Sequence, residues 1–198
     1  MKRIFLAVAV GLLFTANLSA KKQQPLTVSE GSVAVFKEAA ATAVLITDYS
    51  ETYVGEEGAR TASMSDFLKE RGEDYVNDWP KDVKSATTFF IHEFNKKNKR
   101  GLQFVEEEEG GDATYRVELK IETMDWGACG LDMVPFAGPK AGGYVIWGKL
   151  IVRKVEDGSV VTTITINNLK GFGGYTDTIR FSMLYRELSI ELLKLKKK

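Results

Sequence analysis

Three groups of residues have types and spacing that suit chemistry or recognition. The most specific is the run at 127–143, GACGLDMVPFAGPKAGG, with five glycines and two prolines. Connections this long without structure of their own are usually functional or disordered. Leu131, Met133, Val134 and Phe136 put apolar side chains where a solvated linker would carry polar ones, which suits docking to a partner, a ligand or a lipid surface. Folded back over one end of a sheet, the same side chains would form a plug. Cys129 is the only cysteine and sits in this run between small residues. A thiol nucleophile needs a nearby base and a lowered pKa. The only histidine, His92, is far away in sequence, so Cys129 is expected to be an inert thiol beneath the loop, with an intermolecular disulfide as the alternative.

The second group is Asp48 and Glu51, at the carboxyl end of an apolar strand-like run, where ligands of α/β sheets favour binding. Two carboxylates are the equipment of glycoside hydrolysis. Acids at a strand end also serve solubility alone. The third group, Glu106 to Glu109, could chelate a hard cation, but strand spacing sends alternate carboxylates to opposite faces. A solvated flank is the expectation there. His92 falls about 200° around a helix from Phe90, away from the apolar stripe, and is expected to be exposed. No metal or cofactor site is predicted, since one histidine makes a histidine-based zinc site difficult to build.

The N-terminus has Lys2 and Arg3, an apolar run at 4–14 and Leu18-Ser19-Ala20 before Lys21-Lys22. That pattern describes a cleaved secretory signal peptide over 1–20. Its apolar core is too short for a comfortable membrane span, so no transmembrane segment is expected after cleavage. The expected location is the periplasm or the periphery of the outer membrane. Acids and bases balance at 27 each before cleavage, and losing Lys2 and Arg3 leaves a slight acidic excess. That balance offers no electrostatic reason for a nucleic-acid partner. A lone cysteine excludes an intramolecular disulfide, so packing has to stabilise the domain.

These residues need a scaffold, and the patterns predict one. A mobile lead-in is expected over 21–30 and a short edge strand over 32–36. Val44, Leu45 and Ile46 run without a polar break, as in a strand buried on both faces. Ser65 or Asp66 would cap a helix reaching about residue 76. Asp78 and Pro80 would start a second one, with Val83, Ala86, Phe90, Ile91 and Phe94 as its apolar stripe, ending near Asn98. Strands are predicted from residue 102 and over 115–126, 143–155 and 159–169. In the first of the three long strands Tyr115, Val117, Leu119 and Ile121 share one face, and Arg116, Glu118, Lys120 and Glu122 the other. A two-residue Asp157-Gly158 turn would mix the faces of the next two strands. A three-residue loop with Gly158 in a left-handed bulge pairs Leu150 with Ile164 and Val152 with Thr162. A final helix capped by Thr176 or Asp177 buries Phe181, Leu184, Tyr185, Leu188, Leu192 and Leu195, with Arg180, Arg186, Glu187, Glu191 and Lys194 on its polar side.

The predicted fold is α+β: a two-layer sandwich over 31–198, with a mixed, mostly antiparallel sheet of five to six strands and helices on one face. A buried strand followed by helices and another strand calls for a parallel crossover.

The segments VLITDYS (44–50), HEFNKK (92–97) and RELSIELLKLKKK (186–198) resemble small exported α+β proteins of Bacteroidetes. The strand order and GDATYRVELKIETMDWG (111–127) also resemble, more remotely, the periplasmic domain of the curli secretion channel and the N-terminal domain of the Tol-Pal propeller protein. The resemblance implies a central strand after Asp112-Ala113-Thr114-Tyr115, only a partial match to the Ala-Asp-Tyr-like motif of those families. Their channel activity does not carry over, because the 127–143 run is too short and glycine-rich for two membrane-spanning strands of about 9–11 residues each. The expected function is a non-enzymatic binding or assembly module, using the 127–143 run and the neighbouring sheet edge to contact an envelope protein. The alternatives are a hydrolase using Asp48 and Glu51 and a carrier for a small apolar ligand.

Overall fold

Alternation over 115–121 becomes the centre of the sheet. In the computed structural model, which describes residues 24–127 and 142–197, the elements run β1 (Leu26–Gly31), β2 (Thr42–Asp48), β3 (Tyr53–Val54), β4 (Ala62–Ser63), α1 (Met64–Arg71), α2 (Glu73–Lys97), β5 (Gln103–Val105), β6 (Tyr115–Asp125), β7 (Val145–Lys154), β8 (Val160–Lys170) and α3 (Asp177–Leu195). The eight-stranded sheet has the order β1-β8-β7-β6-β2-β5, with the dipeptide strands β3 and β4 attached to the end of β6. β2 runs parallel to both β5 and β6, while β6, β7, β8 and β1 pair antiparallel. The chain is α+β, as the pattern predicts, with two short strands and β1 added to the count.

The hairpin between β7 and β8 takes the predicted register, Leu150 opposite Ile164 and Val152 opposite Thr162. Gly158 adopts φ +71°, the left-handed position of the bulge, and its N–H donates to the Lys154 carbonyl. That register turns Leu150, Val152 and Ile164 inward, where they meet Phe90 and Phe94 of α2 and Leu184, Leu188 and Leu192 of α3 in one apolar core. The other face of the sheet is charged. Arg116 stands opposite Arg153 and Lys120 opposite Lys149, pairings that repel. Diagonal carboxylates relieve them, Glu118 to Arg153 at 3.4 Å and Glu122 to Lys149 at 3.2 Å.

Four expectations are corrected. Residues 26–30, expected in a mobile lead-in, belong to β1 and pair with β8 because Leu26 buries its side chain in the core. Residues 33–37 form a 3-10 turn instead of an edge strand, capped by Ser32, whose hydroxyl accepts the Ala34 N–H at 3.1 Å. Ser63, rather than Ser65 or Asp66, caps α1, which ends at Gly72 with φ +117°. α2 then starts at Glu73, so Pro80 lies within it and removes one backbone donor on its exposed side. The signal-peptide expectation over 1–20 lies outside the described residues. Among the described residues, no helix is long and apolar enough to cross a membrane.

Candidate functional site

The sequence points to the connection between β6 and β7, and the described structure shows how that connection is framed. Cys129, Leu131, Met133, Val134 and Phe136 lie outside the described residues; Trp126, Gly127 and residues 142–144 on either side lie within them. Gly127 at φ +62° and Gly142 at φ +67° both take the left-handed conformation that favours glycine. The Gly127 N–H is held by the Asp125 carboxylate at 2.8 Å.

Both ends are tied by one side chain. Arg180, on the first turns of α3, is fully buried. Its Nε donates to the Gly142 carbonyl at 2.7 Å, its Nη2 to the Trp126 carbonyl, and its Nη1 to Asp177 Oδ1 at 2.9 Å. The Tyr144 hydroxyl donates to the same Asp177 oxygen at 2.6 Å, and the guanidinium lies 4.2 Å from the Tyr144 ring centroid. A buried charge is tolerated when it is paired and hydrogen-bonded, and the planar fork of arginine suits gripping two carbonyls and a carboxylate together. Helical spacing alone assigns Arg180 to the polar side of α3; the structure corrects this, and buries Glu187 as well. The one sequence signal for the clamp is the Asp177–Arg180 spacing of three residues within a helix start.

Aromatic rings pack beneath the clamp. Trp126 lies 4.9 Å from Tyr144, 4.7 Å from Phe67 and 5.6 Å from Trp79 by ring centroids, and Phe181 joins Trp79 at 4.9 Å. Deeper still, the Tyr185 hydroxyl is hydrogen-bonded to Thr47 at 2.7 Å and to Tyr49 at 3.1 Å. Burial holds Tyr185 up to about 12 and pushes Tyr49 well above the ordinary tyrosine value.

Asp48 and Glu51 are brought together along the rim of a cleft of about 590 Å3 on the charged face of the sheet, beside Arg60, Lys120 and Lys149. Asp48 Oδ1 accepts the Ser50 hydroxyl at 2.6 Å and the Ser50 N–H at 2.9 Å. These bonds hold its carboxyl below the usual range, the opposite of the raised value a general acid in glycoside hydrolysis needs. Asp48 closes a turn at the end of β2. His92 is exposed beside Glu93, as its helical position predicts. Glu106 to Glu109 fall at a 3-10 turn, with Glu108 paired to Lys84 at 2.7 Å. Among the described residues, no group of three or more His, Cys, Asp or Glu side chains could hold a metal ion.

No family model matches the chain, and no curated protein matches it. Among solved structures, the chain is similar to two PelC dodecamer structures from Paraburkholderia phytofirmans. One shows 15% identity and a TM-score of 0.37 over 84% of this chain and 97% of that chain. The other shows 14% identity and a TM-score of 0.38 over 84% of this chain and 95% of that chain. Likenesses this slight carry no argument about function.

Proposed function

We propose that the chain is an exported, non-enzymatic binding or assembly module of the periplasm or outer-membrane periphery, which meets an envelope protein at the end of the domain where the 127–143 connection leaves the sheet. The observation that supports this reading is the Arg180 clamp. A connection that only joined two antiparallel strands needs as few as two residues, whereas here a fully buried arginine, an aspartate and a tyrosine hold both ends of a long one. Such anchoring suits a segment presented from a rigid base, in keeping with the general placement of recognition residues on loops carried by a scaffold. Leu131, Met133, Val134 and Phe136 supply the apolar contact in this reading.

The test compares the mature protein with a variant in which Leu131, Met133 and Phe136 are all serine. Both are used as bait in envelope extract, with equal melting temperature checked first. The proposal expects a partner retained by the unaltered protein and lost by the variant. Recovery of the same partner by both places the contact elsewhere on the molecule.

A further inference from the structure

The charged face of the sheet also carries an apolar hollow, where β2 runs beside β6. Strand alternation sends Ala43 and Leu45 of β2 into the core and turns Val44 and Ile46 to the opposite face, so neither of the latter belongs to the core cluster. The 3-10 turn Glu107–Asp112 lies so close over Val44 that a Cβ on Gly110 would stand 2.1 Å from Val44 Cγ2. Val155, just past β7, lines the same space and is 54% exposed. These side chains line a hollow of about 450 Å3, within the usual range of small-molecule sites, about 300–1,000 Å3.

A second, independent observation gives the hollow a charge preference. Arg116 stands directly opposite Arg153 across the β6–β7 ladder, a pairing that repels. Among the described residues, Glu118, 3.4 Å from Arg153 Nε, is the carboxylate that reaches this pair. Arg116 itself makes no hydrogen bond, ion pair or ring contact among them. With Lys154 added to the two arginines, and Glu107 and Glu118 as the acids, lining bases exceed lining acids by three to two. A guanidinium presents a planar fork that fits a carboxylate through two parallel hydrogen bonds. An anion on that fork relieves the repulsion between the arginines, and an apolar body beside it takes Ile46 and Val155 out of water.

We infer that this hollow binds a small amphiphilic carboxylate, a short apolar chain or ring bearing one anionic head. The carboxylate lies on the Arg116 fork and the apolar body against Ile46 and Val155. This site is separate from the protein contact proposed above and does not depend on it.

The test titrates the folded, isotope-labelled mature protein with sodium hexanoate, hexanol, hexylammonium chloride and sodium acetate, following backbone amides by NMR. Hexanoate is expected to saturate with a Kd on the order of 1 mM, moving the amides of Val44, Ile46, Arg116 and Val155. It should bind at least about fivefold tighter than hexanol or hexylammonium, which lack the charge Arg116 attracts, and at least about tenfold tighter than acetate, which lacks the apolar body. Arg116→Gln removes the fork and relieves the like-charge pair, so hexanoate should weaken about fivefold or more with no fall in melting temperature. Val155→Ser keeps the arginine and removes part of the apolar wall, so hexanoate should move towards the affinity of acetate. No saturation by hexanoate, equal binding of hexanol or hexylammonium, shifts confined to amides elsewhere, or unchanged hexanoate affinity in either variant each overturns the inference.

Discussion

Replacing Arg180 by alanine is the sharpest perturbation available in this domain. The substitution leaves the Trp126 and Gly142 carbonyls without their donor, strips the Asp177 carboxylate of its counter-charge and removes the contact with the Tyr144 ring. Each orphaned buried polar group costs about 1–3 kcal/mol, and a desolvated cation–π contact contributes about 2 kcal/mol. These terms overlap, and Asp177, whose side chain is 21% exposed, recovers part of its hydration. The working magnitude is therefore the loss found when one partner of a buried pair is removed, about 3–5 kcal/mol. For a domain of this size, 1 kcal/mol moves the melting temperature by about 2–4 °C, giving a fall of roughly 6–20 °C. Urea unfolding followed by tryptophan fluorescence measures the loss directly. Hydrogen exchange supplies a local reading in Arg180→Lys, where a compact ammonium replaces the planar fork. The Gly171 amide, which donates to the Tyr144 carbonyl at 2.9 Å, should lose protection first. A stability loss below about 1 kcal/mol for Arg180→Ala, within the range of an ordinary surface site, would refute the clamp.

Other predictions test the frame around it. Gly143→Ala brings a Cβ to 2.2 Å from the Gly171 carbonyl, so it should destabilise by about 1–3 kcal/mol or more through forced backbone shifts; a neutral result in thermal unfolding would mean that the two segments do not pack as described. Gly158→Ala meets nothing within 4 Å, so only the left-handed backbone at φ +71° resists it. Its cost should be about 1–2 kcal/mol, with Gly158→Asn milder; a larger loss would point to a contact absent from this turn. Tyr185 is held up to about 12 by burial, above its value in the unfolded chain. A raised value means its contribution is fully present below about pH 10 and fades as pH rises towards 12. Urea midpoints measured across that window should fall less steeply in Tyr185→Phe than in the unaltered protein, and parallel slopes would contradict the burial of this hydroxyl.

The sheet was readable where local pattern and covalent geometry agree. Gly158 can turn the β7–β8 hairpin in more than one way, but only the three-residue loop keeps Leu150, Val152 and Ile164 on one face, and a one-residue slip would expose them all. The helix pair was harder. Pro80 after Asp78 carries the stronger start signal, yet Gly72 breaks the chain earlier, and α2 accepts the proline at an exposed position, where the Val76 carbonyl that loses its donor is on an exposed residue. Leu26 carries no local signal as an anchor, because the exposed residues after it leave one buried side chain without a periodic pattern.

By itself the sequence determined the α+β class, the strand faces, the hairpin register and the 127–143 connection as the unusual feature, since periodicity, turn geometry and length are local properties. Tertiary structure alone decided what holds that connection. The burial of Arg180 depends on carbonyls from Trp126 and Gly142, 54 and 38 residues away, and helical spacing reads a charged residue there as solvated. Val44 and Ile46 are likewise visible as apolar residues of a strand, but their meeting with Arg116 and Val155 exists only once β6 and the β7–β8 hairpin pack beside it. Partners distant in sequence determine whether a charge is buried or left unpaired, and no local pattern contains them.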